Sequence, residues 1–332
     1  MTDQPLDQLQ RPLRDLRISV TDRCNFRCTY CMPREVFGNG YQFMPREQLL
    51  SFEEITRLAR IFVSLGVEKV RLTGGEPLLR RDLPRLVEML APLDGLHDLT
   101  LTTNGSRLAE LASPLRAAGL RRLTVSVDSL EEETFRAMND VDFPLHRVLR
   151  GIDAAREAGF APVKINAVIK RGANDHEIAA MARRFGGPDF VLRFIEYMDV
   201  GNTNGWRLDD VVPAAEIAGK LALEPLPAQY RGEVARRFRT PLGGEIGLIA
   251  SVTAPFCGDC TRARLTADGH LFTCLFATHG HDLRTPLRTG TSDGDLAAII
   301  GRIWQARGDR YSELRTTASA QVPKVEMSHV GG

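Results

Sequence analysis

The chain has 332 residues, 43% hydrophobic and 26% charged, as in an ordinary globular protein of one large domain or two smaller ones. Its 43 basic and 42 acidic side chains give a formal net charge of +1, which argues against a broad nucleic-acid-binding surface. We find neither an apolar run long enough to span a membrane nor the apolar core of a signal peptide, so the expected location is the cytoplasm.

Over the first two-thirds of the chain, short runs rich in Val, Ile, Leu and Thr alternate with segments of helical periodicity. The predicted strands are residues 17–20, 69–73, 99–103, 123–127, 163–169 and 191–195. The predicted helices between them are residues 52–65, 83–90, 107–118, 148–158 and 176–185. Ser51 and Glu54 form a capping box before the first helix, and Gly66, Gly119 and Gly159 occupy expected C-terminal cap positions.

This alternation predicts a parallel sheet with right-handed crossovers, as an open or partial barrel or as a doubly wound sheet. Six units are too few for a closed eight-stranded barrel. In either fold, chemistry is expected at the carboxyl ends of the strands. The alternation stops near Asp199, so we expect a barrel region in residues 1–200 and a C-terminal region in residues 201–332, with helices near residues 214–223 and 296–304.

The first cysteine group, Cys24, Cys28 and Cys31, directly follows the first predicted strand. Three thiolates can ligate three irons of a cubic 4Fe–4S cluster and leave the fourth iron open to an exogenous ligand. A zinc ion with one further ligand and plain core packing are the alternatives. We favour the cluster, because three reactive thiols so close together on one loop are hard to explain by packing.

A second motif, Gly-Gly-Glu-Pro at residues 74–77, follows the second predicted strand. Its glycines would let a ligand approach the backbone closely, and Glu76 could accept hydrogen bonds from a ligand ammonium. By itself the motif would more often be a tight turn.

Together, the cysteine group and this motif resemble the radical S-adenosylmethionine superfamily. The resemblance implies a partial (β/α)6 TIM-like barrel in which S-adenosylmethionine binds the open iron through its amino and carboxylate groups. One electron from the cluster then cleaves the sulfonium and gives a 5′-deoxyadenosyl radical.

The second cysteine group, Cys257, Cys260 and Cys274, also supplies three thiolates. Its spacing fits a second 4Fe–4S cluster, a Cys3His zinc site completed by His279 or His281, or a structural role. Spacing alone leaves these alternatives open.

Several segments narrow the resemblance to one family, the GTP 3′,8-cyclase of molybdenum cofactor biosynthesis. They are residues 17–33, residues 194–199, residues 257–264 and the terminal Gly331 and Gly332. The resemblance implies a C-terminal extension with a second 4Fe–4S cluster, whose open iron receives the purine of GTP. The implied reaction converts GTP to 3′,8-cyclo-7,8-dihydro-GTP, and the terminal glycines are expected to reach the active site.

The resemblance also implies roles for individual residues. The implied S-adenosylmethionine contacts are Tyr30, Gly75, Ser126 and Met198. The implied GTP contacts are Arg17, Arg71, Thr102, Lys164, Arg262 and Arg264. Arg262 and Arg264 are also the catalytic candidates, and both can face one cavity if their segment is extended. Lys170 is the nearby alternative to Lys164.

The implied partners are GTP, an external electron donor and the next enzyme of the pathway, and a homodimer is allowed. Two rival functions stay open. A peptide-modifying radical maturase would also carry auxiliary cysteines, but it would not need Arg262 and Arg264 beside the second group. A non-enzymatic zinc-binding module would use the second cysteine group alone.

Metal analysis of the anaerobically reconstituted protein separates these alternatives. We expect about eight iron ions and no zinc per chain, since each of two 4Fe–4S clusters contains four irons. Replacing Cys257, Cys260 and Cys274 by serine should lower the count to about four irons. One zinc ion together with about four irons in the unmodified protein would contradict the second cluster.

Overall fold

The structure, a computed structural model, describes residues 4–230, 232–316 and 323–331. These residues contain one twelve-stranded sheet. The strands are β1 (Asp15–Ser19), β2 (Lys69–Thr73), β3 (Asp98–Thr103), β4 (Arg122–Ser126), β5 (Val163–Ile169), β6 (Phe190–Glu196), β7 (Glu224–Pro225), β8 (Arg236–Arg239), β9 (Glu245–Ile249), β10 (Arg262–Leu265), β11 (His270–Phe272) and β12 (His281–Asp282). The helices are α1 (Arg34–Phe37), α2 (Phe52–Ser64), α3 (Leu83–Leu90), α4 (Leu108–Ala117), α5 (Glu132–Asn139), α6 (Leu145–Glu157), α7 (Ile178–Phe185), α8 (Ala214–Gly219), α9 (Arg284–Arg288), α10 (Asp293–Gln305) and α11 (Met327–Val330).

Strands β1 to β6 are parallel and lie side by side in chain order, as predicted for an α/β partial barrel. The C-terminal region then adds β9 in parallel beside β6 and β10 in parallel beside β1, so eight parallel strands are contiguous. The antiparallel pairs β7–β8 and β11–β12 extend the two edges. Sequence analysis did not predict these six C-terminal strands, which share one sheet with the barrel strands.

Local sequence signals placed most of the earlier elements correctly. The observed bounds of β2, β5 and α3 are the predicted ones. The capping box of α2 is formed, because Ser51 Oγ accepts from Glu54 N at 3.1 Å and Glu54 Oε2 accepts from Ser51 N at 2.8 Å. Gly66 follows α2 with a φ of +101°, a conformation that glycine adopts at helix C-termini without steric cost.

Side chains along the central strands alternate between two environments. On β5, residues that face the helices are fully buried, whereas Lys164, Asn166 and Val168 are half-buried and line a cavity on the opposite face. Polar residues within otherwise apolar strands therefore point away from the core and toward one shared space.

The longest described helices, α2, α6 and α10, have 13 residues each. Across the described ranges, the structure contains no helix that is both long and apolar enough to cross a membrane. The buried faces of these three helices pack instead into the apolar core beside the strands.

Candidate active site

A cavity of about 470 Å³ lies on the inner face of the sheet. All predicted GTP contacts line it: Arg17, Arg71, Thr102, Lys164, Arg262 and Arg264. Tyr30, Ser126 and Met198 of the predicted S-adenosylmethionine contacts line it as well, whereas Gly75 lies outside the wall. Lys170 also lies outside the cavity wall, and its ammonium pairs with Asp210 at 3.6 Å.

Three arginines stand side by side across neighbouring strands of this cavity, and we call them the arginine row. Arg17 on β1 is in register with Arg264 on β10 at one side and with Arg71 on β2 at the other. Neighbouring strands lie about 4.8 Å apart, so the three side chains leave the sheet close together, and burial, helped by the charges of Arg264 and Arg71, lowers the pKa of Arg17. Like charges directly opposite one another destabilise a sheet, so the row is arranged for an anion.

The arginine row has unused hydrogen-bond donors. Arg17 Nε and Arg71 Nε are buried and have no hydrogen-bond partner within the described part of the chain. Arg71 Nη1 donates to Thr102 Oγ1 at 2.8 Å, which fixes one end of its guanidinium. Buried donors without partners are costly, and an anionic ligand with several oxygens would satisfy them.

Carboxylates on the cavity wall have other basic partners. Asp15 pairs with Lys69 at 2.8 Å, and Asp98 pairs with Arg122. Burial alone would raise the pKa of Asp15, but Lys69 and the neighbouring arginines hold it well below its ordinary value. Asp15 therefore offsets part of the charge of the arginine row through space, although both acids form their ion pairs with other basic residues.

Two further cations face the same space from the other side of the cavity. Burial, and next the charge of Arg193, lowers the pKa of Lys164 to about 7. Burial, and next the charge of Arg71, lowers the pKa of Arg193 to about 9. Both shifts have the direction expected of cations held close to other cations in a partly desolvated site.

Sequence analysis missed Lys69, Asn166 and Arg193 on the cavity wall. Arg193 is the one charged side chain before the terminal Glu196 of β6, and its Nε donates to Asn166 Oδ1 at 2.9 Å. A charge at an inward-facing position of a buried strand was the signal that could have identified it.

The first cysteine group lies in the loop between β1 and α1. Its thiols are half-buried and form no disulfide. Phe26 N donates to Cys24 Sγ at 3.4 Å, and Cys31 N donates to Cys28 O at 2.9 Å. Burial raises the pKa of the Cys24 and Cys31 thiols to about 12, so a bound metal must displace their protons.

The two glycines after β2 pack directly against this cysteine loop. A Cβ on Gly74 would lie 2.4 Å from Thr21 O, and one on Gly75 would lie 2.4 Å from Arg23 O. Gly75 N donates to Thr21 O and Glu76 N donates to Arg23 O, both at 2.8 Å. The expected close approach thus occurs, but the approaching group is the chain's own cysteine loop.

The Glu76 carboxylate forms three hydrogen bonds within the chain. Its carboxylate accepts from Thr103 Oγ1 at 2.7 Å, from Asn104 N at 2.7 Å and from Leu78 N at 2.9 Å. The residue is 1% exposed, and burial raises its pKa to about 7. Glu76 therefore joins the loops after β2 and β3.

Tyr30 is oriented by a buried acid that follows β4. Its hydroxyl donates to Asp128 Oδ2 at 2.6 Å, and Asp128 Oδ1 accepts from Val168 N at 2.9 Å. Burial raises the pKa of Asp128 to about 6. This contact holds Tyr30, the residue between two cysteines of the first group, at the cavity wall.

The second cysteine group lines the same cavity, together with residues of β10. Arg262 and Arg264 alternate on this strand and both line the cavity, as predicted for an extended segment. Arg262 Nη2 contacts Cys260 Sγ at 3.4 Å. Burial alone would raise the pKa of Cys260, but Arg262 and Arg307 outweigh burial and lower it to about 6.

The C-terminal segment also reaches the arginine row. Arg264 Nη1 donates to Gly331 O, and Met327 of α11 lines the cavity. Gly331 has a φ of +74°, and a Cβ there would lie 2.4 Å from Thr73 Cγ2. Gly332, the second terminal glycine of the prediction, lies outside the described residues.

Comparison with known proteins agrees with this geometry. Residues 18–185 match the Radical SAM superfamily, and residues 190–313 match the family described as Molybdenum Cofactor Synthesis C. A protein of Acidothermus cellulolyticus named GTP 3′,8-cyclase is 58% identical over 365 residues, covering 100% of both chains. The chain belongs to the GTP 3′,8-cyclase family.

Two other GTP 3′,8-cyclases show the same full-length similarity. The protein of Xanthomonas axonopodis pv. citri is 50% identical over 337 residues, covering 100% of both chains. That of Staphylococcus epidermidis is 47% identical over 335 residues, covering 98% of each. The predicted family and the predicted cofactors, S-adenosyl-L-methionine and two 4Fe–4S clusters, are confirmed.

Among the described residues of this GTP 3′,8-cyclase family member, neither cysteine group is packed as tightly as a tetrahedral zinc site requires. A tetrahedral zinc site with Zn–S bonds of about 2.3 Å brings its sulfurs within about 3.8 Å of one another. Among the described residues, the metal-ligating groups packed within 4.8 Å comprise Glu131, His176 and Glu177, with no cysteine. His279 and His281, the histidines considered for a zinc site, are exposed and outside any such group.

Replacement of Gly75 by alanine should selectively damage the first cluster. The new Cβ would lie 2.4 Å from Arg23 O, which must move and carry the loop of Cys24 with it. We expect the reconstituted variant to hold about four irons instead of about eight, with the spectroscopic signature of the second cluster retained. Iron analysis and electron paramagnetic resonance measure this.

Gly40→Ala is the matched control, because a Cβ there meets no atom within 4 Å. It should leave the iron content unchanged. A full complement of iron in Gly75→Ala would show that the close approach of Gly75 to the loop is dispensable for cluster binding.

Proposed function

We propose that this enzyme converts GTP to 3′,8-cyclo-7,8-dihydro-GTP, the first step of molybdenum cofactor biosynthesis. The observation that carries the proposal is the arginine row, with its buried unpartnered donors, in the same cavity as the second cysteine group. A triphosphate supplies the negative charge and the acceptor oxygens that such a row needs. The shared name of the full-length relatives supports the same substrate.

In the proposed complex, Arg17, Arg71 and Lys164 bind the triphosphate, and Thr102 contributes its hydroxyl. Lys164 is preferred to Lys170 because Lys164 lines the cavity. The purine lies toward Cys257, Cys260 and Cys274, the proposed ligands of the second cluster, where Arg262 and Arg264 also bind it. This orientation uses Arg17 and Arg71 of the arginine row for phosphate oxygens, and Arg264 of the row together with Arg262 for the base.

The proposed ligands of the first cluster are Cys24, Cys28 and Cys31, with S-adenosylmethionine contacted by Tyr30, Gly75, Ser126 and Met198. The clusters and S-adenosylmethionine supply the radical chemistry when bound. The protein's own residues hold the ribose of GTP close to the adenosyl group and exclude water. Asp128 supports this role, because it fixes the hydroxyl of Tyr30 at 2.6 Å.

Arg262 and Arg264 are the proposed catalytic residues. Both line the cavity beside the second cysteine group, where a proton is needed to complete the product. Burial, and next the charge of Arg262, lowers the pKa of Arg264 to about 10. A guanidinium that is destabilised in this way releases its proton more readily than an exposed one.

The peptide-modifying maturase is not favoured, because a peptide substrate gives no reason for three in-register arginines.

The proposed division of the chain into residues 1–200 and 201–332 is supported by the two family matches, which meet near residue 190. An external electron donor, the next pathway enzyme and a homodimer are also proposed partners. A cytoplasmic location is proposed because six free thiols suit a reducing compartment.

Anaerobic turnover tests the proposed reaction directly. The reconstituted enzyme is incubated with GTP, S-adenosylmethionine and a strong reductant, and products are identified by mass spectrometry. We expect GTP loss and formation of the 3′,8-cyclised nucleotide together with 5′-deoxyadenosine. Formation of 5′-deoxyadenosine with GTP left intact would overturn the substrate assignment.

Binding of GTP should be coupled to proton uptake through Lys164. Its pKa of about 7 leaves it mostly neutral at pH 8, and a bound triphosphate favours the charged form. The affinity should therefore rise as the pH falls from 9 to 7. Lys164→Met should weaken binding by about 10- to 100-fold at pH 7, the effect of losing a hydrogen bond to a charged group.

Isothermal titration calorimetry in buffers of different ionisation enthalpy measures both the affinity and the protons taken up. Lys170→Met is the control, because Lys170 pairs with Asp210 outside the cavity. It should bind GTP like the parent. Weaker binding in Lys170→Met but not in Lys164→Met would reverse the assignment of the two lysines.

A further inference from the structure

Two buried arginines from distant parts of the chain donate hydrogen bonds to the backbone of the second cysteine group. Arg11 comes from the segment before β1, and Arg307 follows α10. Both side chains are 1% exposed. Two fully buried guanidiniums are uncommon in a protein and call for a specific explanation.

Each arginine donates to the backbone beside a cysteine. Arg11 Nη1 donates to Cys257 O at 2.6 Å. Arg307 Nη1 donates to Cys260 O at 2.7 Å, and its Nε donates to Thr273 O at 3.1 Å, directly before Cys274. Two side chains therefore fix the backbone at all three positions of the second group.

One carboxylate joins the two arginines. Asp7 Oδ2 accepts from Arg11 Nε at 2.5 Å and from Arg307 Nη1 at 3.0 Å, and the Asp7 side chain is fully buried. Asp7 Oδ1 accepts from the backbone nitrogens of Leu9 and Arg11, both at 2.9 Å. We call Asp7, Arg11 and Arg307 the Asp7 network.

The Asp7 network also brings net positive charge to the second cysteine group. Two cations share one buried carboxylate, and the further acid near Arg307 is Asp309, 31% exposed and 3.5 Å from Arg307 Nε. Arg11 Nη2 is buried and has no hydrogen-bond partner among the residues that the structure describes. Three thiolates and their iron–sulfur core are anionic, so this charge favours their assembly there.

A purely structural function of the network would be to anchor the N-terminal segment. Trp304 Nε1 donates to Arg11 O at 2.9 Å, and the Arg307 guanidinium lies 4.5 Å from the Trp304 ring centroid. An anchor would need only some of these contacts, however. It would not require both guanidiniums to donate hydrogen bonds to the carbonyl oxygens of Cys257 and Cys260 and of the residue before Cys274.

We propose that the Asp7 network positions the second cysteine group for cluster binding, with Asp7 as the positioning residue that orients both arginines. The inference rests on the proposed function for the identity of the second site. Its test measures iron and not GTP turnover, so either proposal can fail without the other.

The test uses the full-length chain in two backgrounds. In one, Cys24, Cys28 and Cys31 are replaced by alanine, so that the second cluster alone is bound; in the other, Cys257, Cys260 and Cys274 are replaced. Asp7→Asn keeps the shape of the side chain but removes its charge and sets an amide donor against one arginine. Iron is counted after anaerobic reconstitution, and its release to a chelator is followed by absorbance.

In the background that holds the second cluster, Asp7→Asn should release iron at least about tenfold faster than its parent, as is usual when residues that orient metal ligands are changed. In the first-cluster background, the release rate should stay within about twofold of the parent. Arg307→Lys keeps the charge but cannot donate to two carbonyls in a fixed fork, so it should show the same selective loss.

Asp309→Asn is the control, because it removes a nearby charge without breaking the link between Arg11 and Arg307. It should have a smaller effect than Asp7→Asn. Unchanged iron release in both Asp7→Asn and Arg307→Lys would overturn the proposal. Equal loss of iron from the two backgrounds would also overturn it, since the network would then be a general structural anchor.

Discussion

The alternation of side chains along parallel strands is the constraint on which this active site depends. A strand has two faces, and here one face is covered by helices while the other lines the cavity. Because neighbouring parallel strands are in register, a polar residue at an inward position meets the inward residues of both neighbours. Arg264, Arg17 and Arg71 are adjacent for that reason alone.

This constraint explains why the C-terminal region is indispensable to the cavity. Arg264 enters the arginine row because β10 pairs in parallel with β1, although the two strands are far apart in sequence. The same pairing places Arg262 and Cys260 at the cavity wall. The barrel strands and the second cysteine group therefore form one site. Neither of them alone could bind a nucleoside triphosphate in the proposed way.

The elements that could be predicted from the sequence are those determined by interactions between residues close together in the chain. Helix caps and the alternation of buried strands are local, and α2, β2 and β5 were accordingly predicted well. The positions of β9 and β10 at opposite ends of the parallel part of the sheet depend on pairing with distant strands, which periodicity does not report.

The site residues divide in the same way. The cysteines were recognisable by their spacing, and the cations on β1, β2 and β10 by resemblance to a family. Asp7, Arg11 and Arg307 were not, because a buried acid or arginine looks like a surface residue until its partners are known. The contacts of Glu76 were not predictable for a related reason: its partners lie after β3 and include a backbone nitrogen, which carries no sequence signal.

The two cysteine groups finally differ in the charge that surrounds them. Near the first group, Glu76 and Asp128 add negative potential to the effect of burial, and the pKa values of its thiols are raised. Near the second group, Arg262 and Arg307 outweigh the effect of burial on Cys260 and lower the pKa of its thiol, although burial raises the pKa of Cys274 to about 12.

A site that must hold both an anionic cluster and an anionic substrate needs cations nearby, since the two anions would otherwise repel each other. A site that receives the sulfonium of S-adenosylmethionine does not need them, and acids there are compatible with a cationic ligand. The cations around Cys260 therefore suit an anionic substrate, and the acids around the first group suit a cationic ligand.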